Sequence, residues 1–169
     1  MTDPELLALA ERLQGLCLGR GLTVATAESC TGGLVAAILT GIPGASGYFR
    51  GSIVAYADAT KVALLDVPEA TLAAHGAVSA QTARVMATGL RDRLGVSLAV
   101  SITGVSGPDG GSDEKPVGLT YIGLADRLTS DVRRYTWAGD RAANRHESVR
   151  AALRWLIERA ETPAPDEGP

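Results

Sequence analysis

Three polar side chains of types used in catalysis, Ser29, Tyr56 and Lys61, lie at two predicted strand-to-helix junctions. A serine hydroxyl becomes a useful nucleophile when a nearby base takes its proton, and a lysine can act as that base when its surroundings lower its pKa. Only two of the sixteen basic residues are lysines, Lys61 and Lys115, and both follow candidate site loops. The pattern therefore predicts that three polar groups of catalytic type converge on one site.

Other interpretations of the serine turn stay open on these residues alone. Ser29 is also a suitable helix N-cap. Cys30 is a rival nucleophile, since a thiol at a helix N-terminus has a lowered pKa. Glu28 either orients Lys61 or simply ends the strand.

The turn lies between two predicted elements. Residues 22–27 alternate Val, Ala and Thr without a charge, as in a buried strand, and apolar residues then recur at helical spacing from Leu34 to Leu39. In an open α/β sheet such a junction is the carboxyl end of a strand, where ligand sites form. We expect the N–H groups from Cys30 through Thr31, Gly32 and Gly33 to face a ligand there.

Two further junctions are expected beside the first. A second strand over residues 51–56 ends in Tyr56, and Asp58 caps a short helix that carries Lys61. If the two strands are neighbours, their carboxyl ends lie about 5 to 10 Å apart, and both side chains reach Ser29. A third strand, 98–102, leads into a glycine-rich loop, 103–116, a composition that compact domains usually reserve for binding.

The remaining elements complete one α/β domain. Helices are predicted from Asp3-Pro4, Pro68 and Ser79, the last with Leu94 facing inward, and Gly19 and Gly21 stop the first. Residues 117–125 and 133–137 predict a hairpin, and Gly139-Asp140 begins a final helix. Arg141 and Arg145 share one face near its start, where they either clamp a phosphate or are solvated.

Composition narrows the class of protein. The 169 residues fit a single domain, predicted over 1–160 with a disordered tail at 161–169. A net charge of −3 argues against a nucleic-acid partner, and the lack of a long apolar run or signal peptide predicts a cytoplasmic protein without a membrane partner. Two cysteines in different settings and two isolated histidines predict neither a disulfide nor a metal site.

Five blocks of the sequence together resemble one family, the CinA C-terminal domain proteins. They are ATAESCTGG at 25–33, SIVAY with the later lysine at 52–61, HGAVS at 75–79, TGVSGPDGG to EKPVG at 103–118, and GDR at 139–141. The resemblance covers about residues 5–160 in order. It is consistent with a three-layer α/β/α sandwich that has a mixed, mostly parallel sheet of about five strands.

The resemblance implies an activity. Family members with demonstrated activity are amidohydrolases that convert nicotinamide mononucleotide (NMN) to nicotinate mononucleotide and ammonia in pyridine nucleotide salvage, and this chain is similar to the stand-alone form. The family's serine, tyrosine and lysine map onto Ser29, Tyr56 and Lys61, which favours Ser29 over Cys30 as the nucleophile. Thr103, Gly104 and Gly107 would then hold ribose and phosphate, with Arg141 and Arg145 neutralising the phosphate. No metal or cofactor is required.

The resemblance also implies a homodimer. Small departures, such as Ala57-Asp58-Ala59-Thr60 after the tyrosine, affect specificity more than hydrolysis. Two alternatives remain: a non-catalytic nucleotide-binding module linked to competence and DNA uptake, and an amidohydrolase of another small amide.

Overall fold

The computed structural model describes residues 3–162 and contains six α-helices and five strands in that range. The helices are α1 (Pro4–Arg20), α2 (Leu34–Thr40), α3 (Asp58–Leu65), α4 (Glu69–His75), α5 (Ala80–Leu94) and α6 (Arg141–Glu161). The strands are β1 (Val24–Glu28), β2 (Phe49–Val54), β3 (Leu98–Gly104), β4 (Leu119–Ala125) and β5 (Ser130–Thr136).

The strands form one sheet in the order β2-β1-β3-β4-β5. β1 is parallel to both of its neighbours, β2 and β3, whereas β4 and β5 continue the sheet as an antiparallel hairpin. Helices α1, α2 and α6 pack on one face, and α3, α4 and α5 pack on the other. The predicted three-layer α/β/α fold with a mixed five-stranded sheet is confirmed.

The central strand is buried on both faces, which explains its uncharged sequence. Side chains alternate between the faces of a strand. Val24 packs into the core formed with α1, α2 and α6, whereas Ala25 and Ala27 pack into the core that contains Leu65 of α3 and Met86 of α5. The small alanines let the second helical layer approach the sheet closely.

Capping residues set the ends of the helices. The side chains of Asp3, Ser79 and Asp140 each accept a backbone N–H from the first turn of α1, α5 and α6. Gly21 and Gly95 end α1 and α5 in the left-handed conformation that glycine adopts without strain. The predicted starts of these three helices are confirmed.

The second strand lies earlier in the chain than predicted. It covers Phe49–Val54 rather than 51–56, so Tyr56 follows the strand instead of ending it. The pairing with β1 sets these limits: Val24 pairs with Phe49 and Glu28 with Val54, with an irregularity after Val24. Pairing with β1, rather than the local sequence pattern, therefore determines where β2 begins and ends.

Three smaller predictions were wrong. Asp58 is the first residue of α3 and makes no cap; Ala57 is the N-cap, without a side-chain hydrogen bond. Leu94 is 39% exposed at the end of α5, beyond the reach of the core. Gly19 does not stop α1, which continues to Arg20.

Cys17 and Cys30 are both buried and free. Within residues 3–162, no helix is long and apolar enough to cross a membrane. Of the tail predicted at 161–169, Glu161 is the last residue of α6 and Thr162 is its C-cap, and the rest lies outside the described residues.

Candidate active site

Ser29 lies at the carboxyl end of the central strand, between the segments that leave β2 and β3. Its N–H donates to Ile102 O at 3.0 Å, which extends the pairing of β1 with β3. On the other side, Ala55 N–H donates to Glu28 O at 2.8 Å, which extends the pairing of β1 with β2. The chain segments carrying Tyr56 and Thr103 therefore flank the serine, as expected for neighbouring parallel strands.

The residue before the serine fixes the turn. Glu28 has no exposed surface, and its carboxylate accepts hydrogen bonds at 3.0 to 3.1 Å from backbone N–H groups at the start of α2. A buried carboxylate at a helix N-terminus accepts from N–H groups that have no partner within the helix, and the positive end of the helix dipole also stabilises its charge. Its five donors in all are the hydroxyls of Thr26 and Thr31 and the N–H groups of Gly33, Val35 and Ala36.

This arrangement settles two expectations about the turn. Gly33 is the N-cap residue of α2, and within residues 3–162 the Ser29 side chain makes no capping hydrogen bond. Lys61 is not among the donors to Glu28, so the carboxylate ends the strand and caps the helix rather than orienting the lysine.

Only part of the turn's backbone is available to a ligand. The N–H of Gly32 donates to Ser29 O, and the N–H of Gly33 donates to Glu28. Among the described residues, the N–H groups of Cys30 and Thr31 have no such partner. These two adjacent donors, directly after the serine, are the ones suited to hold an oxyanion.

The lysine is buried beside the segment that follows β2. Lys61 is 1% exposed, and its Nζ donates to Tyr56 O at 3.1 Å and lies 3.4 Å from Asp58 Oδ1. Tyr56 as a residue is 61% exposed. No hydrogen bond among the described residues joins Ser29 to either side chain, so the three residues lie at one edge of the sheet without hydrogen bonds from the serine to the other two.

Two arginines of α6 reach the same edge. Arg141 donates to the Tyr56 hydroxyl at 3.2 Å and to Gly107 O at 2.8 Å, so its guanidinium spans the gap between the segments after β2 and β3. Arg145 donates to Thr31 O at 2.7 Å, and its buried Nε has no partner in the described part of the chain. Arg145 therefore lies against the serine turn, and Arg141 lies between the two segments that flank it.

The glycine-rich loop is held in place by buried polar groups. The Thr103 hydroxyl donates a hydrogen bond to Ala77 O at 2.8 Å. A side chain at Gly104 would lie 2.6 Å from Leu119 O, so close strand packing requires this glycine. Asn144 donates to Ser106 O and accepts from the N–H of Gly139, which ties the loop to the start of α6.

Sequence reasoning missed Asn144 and the capping role of Glu28. An acid that directly follows an uncharged strand and precedes a Thr-Gly-Gly turn signals such a cap. Asn144, four residues after the N-cap Asp140, carries no comparable local signal.

Electrostatics separate the two candidate nucleophiles. Burial raises the pKa of the Cys30 thiol, and a hydrogen bond with Ser106 and the charge of Arg145 oppose this effect without reversing it. A thiol kept protonated is a poor nucleophile. Ser29 is 9% exposed, and its hydroxyl has no hydrogen-bond partner among the described residues, so it is not committed to another group.

The arrangement suits attack on a carbonyl group attached to an anionic substrate. It combines a serine, a pair of backbone donors, a buried lysine and two arginines. Among residues 3–162, no three His, Cys, Asp or Glu side chains are grouped to hold a metal ion.

Comparison with known proteins identifies relatives along almost the whole described chain. The family model for the CinA C-terminal domain matches residues 6–160. A CinA-like protein of Geobacter sulfurreducens is 52% identical over 140 residues, which cover 83% of this chain and 34% of the relative. A CinA-like protein of Chlorobaculum tepidum is 46% identical over 158 residues, which cover 90% and 37%. The chain thus spans about a third of the length of these curated relatives.

Solved structures share the fold at similar size. The competence/damage inducible protein CihA from Agrobacterium tumefaciens superposes with a TM-score of 0.91 at 39% identity, covering 94% of this chain and 97% of that one. A competence-damaged protein (CinA) superfamily member from Escherichia coli gives 0.88 at 28% identity, covering 94% of both chains. The protein therefore belongs to the CinA C-terminal domain family.

Proposed function

We propose that this protein is an amidohydrolase that hydrolyses the carboxamide of NMN to nicotinate mononucleotide and ammonia, in pyridine nucleotide salvage. The observation that carries the proposal is the position of Ser29. It lies at the carboxyl end of the central parallel strand with no hydrogen-bond partner for its hydroxyl among the described residues, next to two free backbone donors and flanked by a buried lysine and two arginines.

In the first step, the Ser29 hydroxyl attacks the carboxamide carbon, and its proton passes toward Lys61. The segment that accepts the Lys61 hydrogen bond is paired with β1 immediately beside the serine, which supports this route. The N–H groups of Cys30 and Thr31 stabilise the oxyanion, a contribution of about 3 to 4 kcal/mol per donor in other hydrolases. These reaction steps do not use a metal ion.

In the second step, the tetrahedral intermediate expels ammonia. The leaving amine receives a proton from Lys61, directly or through the Tyr56 hydroxyl, and an acyl ester with Ser29 remains. Water activated by the same base then attacks the ester and releases the carboxylate. Nicotinate mononucleotide leaves and the serine regains its proton.

The two arginines supply the phosphate site. Arg141 presently bridges the Tyr56 hydroxyl and Gly107 O, both neutral acceptors, and a phosphate dianion is a stronger partner for a guanidinium. Binding of the phosphate would release the tyrosine hydroxyl for proton transfer. Thr103, Gly104 and Gly107 contribute the wall of the ribose and phosphate pocket through the loop that they shape.

A second candidate function is a nucleotide-binding module without catalysis. Two observations favour it: the structural relatives carry competence or damage-inducible names, and Ser29 makes no hydrogen bond to Lys61 in the described structure. Hydrolysis of a different small amide is a third candidate that uses the same residues.

Lys61→Met separates these functions, since methionine fills a similar volume without a base. We expect the variant to bind NMN within a few fold of the unaltered protein in calorimetry while ammonia release falls by at least about 100-fold. Glu69→Gln is a matched control on the exposed surface. If the unaltered protein binds NMN and releases no ammonia, the protein is a nucleotide-binding module and the proposal of an amidohydrolase is wrong.

We also propose that the protein acts in the cytoplasm as a homodimer. The edges of the sheet, β2 and β5, each pair with one strand only, and an unpaired edge is available to a second copy. Light scattering on a sizing column tests the dimer. A mass of one chain at micromolar concentration contradicts it.

A further inference from the structure

Arg145 is bound to the backbone of the turn that carries the candidate nucleophile. Its Nη2 donates to Thr31 O at 2.7 Å, and the N–H of Gly32 donates to Ser29 O at 3.0 Å. The second bond closes a four-residue turn from Ser29 to Gly32, and the N–H groups of the two central residues take no part in closing it. These are the donors of Cys30 and Thr31 that are suited to hold an oxyanion.

The two hydrogen bonds connect the guanidinium to the Cys30 N–H through two peptide groups. The first group consists of Thr31 C=O and Gly32 N–H, which lie in one plane. The second consists of Ser29 C=O and Cys30 N–H. A cation at one end of such a chain polarises each group in the same direction, and each hydrogen bond becomes stronger by about 10 to 30%. The Cys30 N–H, at the far end, is therefore a stronger donor than an isolated amide.

Further contacts hold this chain of hydrogen bonds in position. Thr31 has no exposed surface, and its hydroxyl donates to Glu28 Oε2 at 2.7 Å. The carboxylate and the guanidinium therefore hold the threonine from two sides. Gly32 has a φ of +62°, and a Cβ at this position would lie 3.5 Å from Arg145 Nη2. The cation thus lies directly against the backbone of the turn.

The charge of Arg145 also acts on the side chain of residue 30. Burial has the largest effect on the Cys30 thiol and raises its pKa, and the charge of Arg145 acts in the opposite direction. A negative charge at this residue is therefore favoured by the arginine. An oxyanion that accepts from the Cys30 N–H carries the same sign of charge beside the same residue and would be stabilised likewise.

We propose that Arg145 is a positioning residue of the hydrolysis, which orients the serine turn and strengthens the Cys30 N–H as an oxyanion donor. The inference rests on the proposed function, and it gives Arg145 a role besides phosphate binding. This role is exerted in the transition state, so its loss lowers kcat rather than raising KM. Within the described residues, Arg141 makes no hydrogen bond to the turn, and its role stays at the phosphate.

Turnover of NMN and of nicotinamide riboside, which is NMN without its phosphate, separates the two roles. Arg145→Met removes the charge and keeps most of the side-chain volume. We expect it to lower kcat on NMN and kcat/KM on the riboside by about 10-fold each, since losing a whole oxyanion donor costs about 100- to 1,000-fold and here the donor is only weakened. Arg145→Lys keeps the charge and should recover most of the loss.

Two other arginines of α6 serve as comparisons. Arg141→Met should mainly raise KM for NMN, because this arginine is assigned to the phosphate alone. Arg154→Met should change turnover of neither substrate, because Arg154 is exposed and pairs with Glu5 on α1.

Amide proton chemical shifts of the ¹⁵N-labelled protein give a readout that does not depend on activity. We expect the signals of Cys30 and Gly32 to move upfield in Arg145→Met, because their N–H groups are less polarised, and to return in Arg145→Lys. The signal of Val35, whose N–H donates to Glu28, should stay in place.

Three results would overturn the inference. The first is a loss in Arg145→Met that is confined to KM for NMN, with riboside turnover unchanged, since Arg145 would then act on the phosphate alone. The second is an Arg145→Lys variant as slow as Arg145→Met, and the third is a Gly32 signal that does not move. If the unaltered protein releases no ammonia from either substrate, the proposed function is wrong, and the amide signals alone then decide whether the guanidinium polarises the turn.

Discussion

Replacing Glu28 by glutamine tests the account of the serine turn. The Oε2 atom accepts from Thr31 Oγ1, Gly33 N and Val35 N at 2.7, 3.0 and 3.1 Å, and Oε1 accepts from Ala36 N at 3.0 Å. The carbonyl oxygen of a glutamine can take the place of Oε2 and accept from the same three donors. Its NH₂ group then faces the N–H of Ala36, so a donor meets a donor in a site without solvent.

The expected loss of stability follows from these contacts. An unsatisfied buried N–H costs about 1 to 3 kcal/mol, and losing the negative charge at the start of α2 adds about 0.5 to 1 kcal/mol. A total of about 3 kcal/mol lowers the melting temperature of a chain of this length by roughly 6 to 12 °C. Circular dichroism melts and urea unfolding measure both quantities.

The control for Glu28→Gln is Glu69→Gln. Glu69 is exposed and lies in the first turn of α4, so its replacement removes the same charge near a helix start without burying an unmet donor. We expect this variant to melt within about 2 °C of the unaltered protein, since an exposed charge at a helix end contributes little. If the two variants melt together, the carboxylate of Glu28 does not hold the turn.

Three further predictions concern packing, protonation and catalysis. Gly118→Ala places a Cβ 2.0 Å from Trp137 O at a φ of +91°, so urea unfolding should show that the free energy of unfolding falls by about 3 kcal/mol or more. The control is Gly15→Ala, whose Cβ has nothing within 4 Å and which should not lower the free energy of unfolding. Burial raises the pKa of Cys17 from 9.0 to about 11, so the folded protein keeps a proton that the unfolded chain loses. The free energy of unfolding should therefore fall by up to about 2.7 kcal/mol from pH 9 to pH 11, and urea titrations should show a shallower fall for Cys17→Ala. Tyr56→Phe should reduce NMN turnover by about 10-fold or more with an unchanged melting temperature, because Tyr56 is 61% exposed. Unchanged turnover would remove the hydroxyl from the mechanism.

Local signals predicted the elements whose ends are fixed within the chain. Ser79 and Asp140 cap their own helices, and the uncharged run before Glu28 is a strand buried on both faces. The limits of β2 were missed because they depend on its register with β1, which is set across the sheet. Strand limits that depend on pairing between distant segments cannot be predicted from a short window of sequence.

The candidate site was predicted in outline, and its contacts were not. Parallel strands bring residues after their carboxyl ends together, so the neighbourhood of Ser29, Tyr56 and Lys61 followed from topology. The cap made by Glu28 depends on side-chain rotamers and on donors up to eight residues away. The contact between Arg141 and Tyr56 joins residues 85 positions apart, which no local pattern specifies.

Ammonia release from NMN tests the central claim most directly. It should be measured without added metal for the unaltered protein, Ser29→Ala and Cys30→Ala, with nicotinamide and NAD as competing substrates. The account predicts turnover of NMN that Ser29→Ala abolishes and Cys30→Ala retains within a few fold. Turnover that survives in Ser29→Ala, or that is lost only in Cys30→Ala, would contradict it.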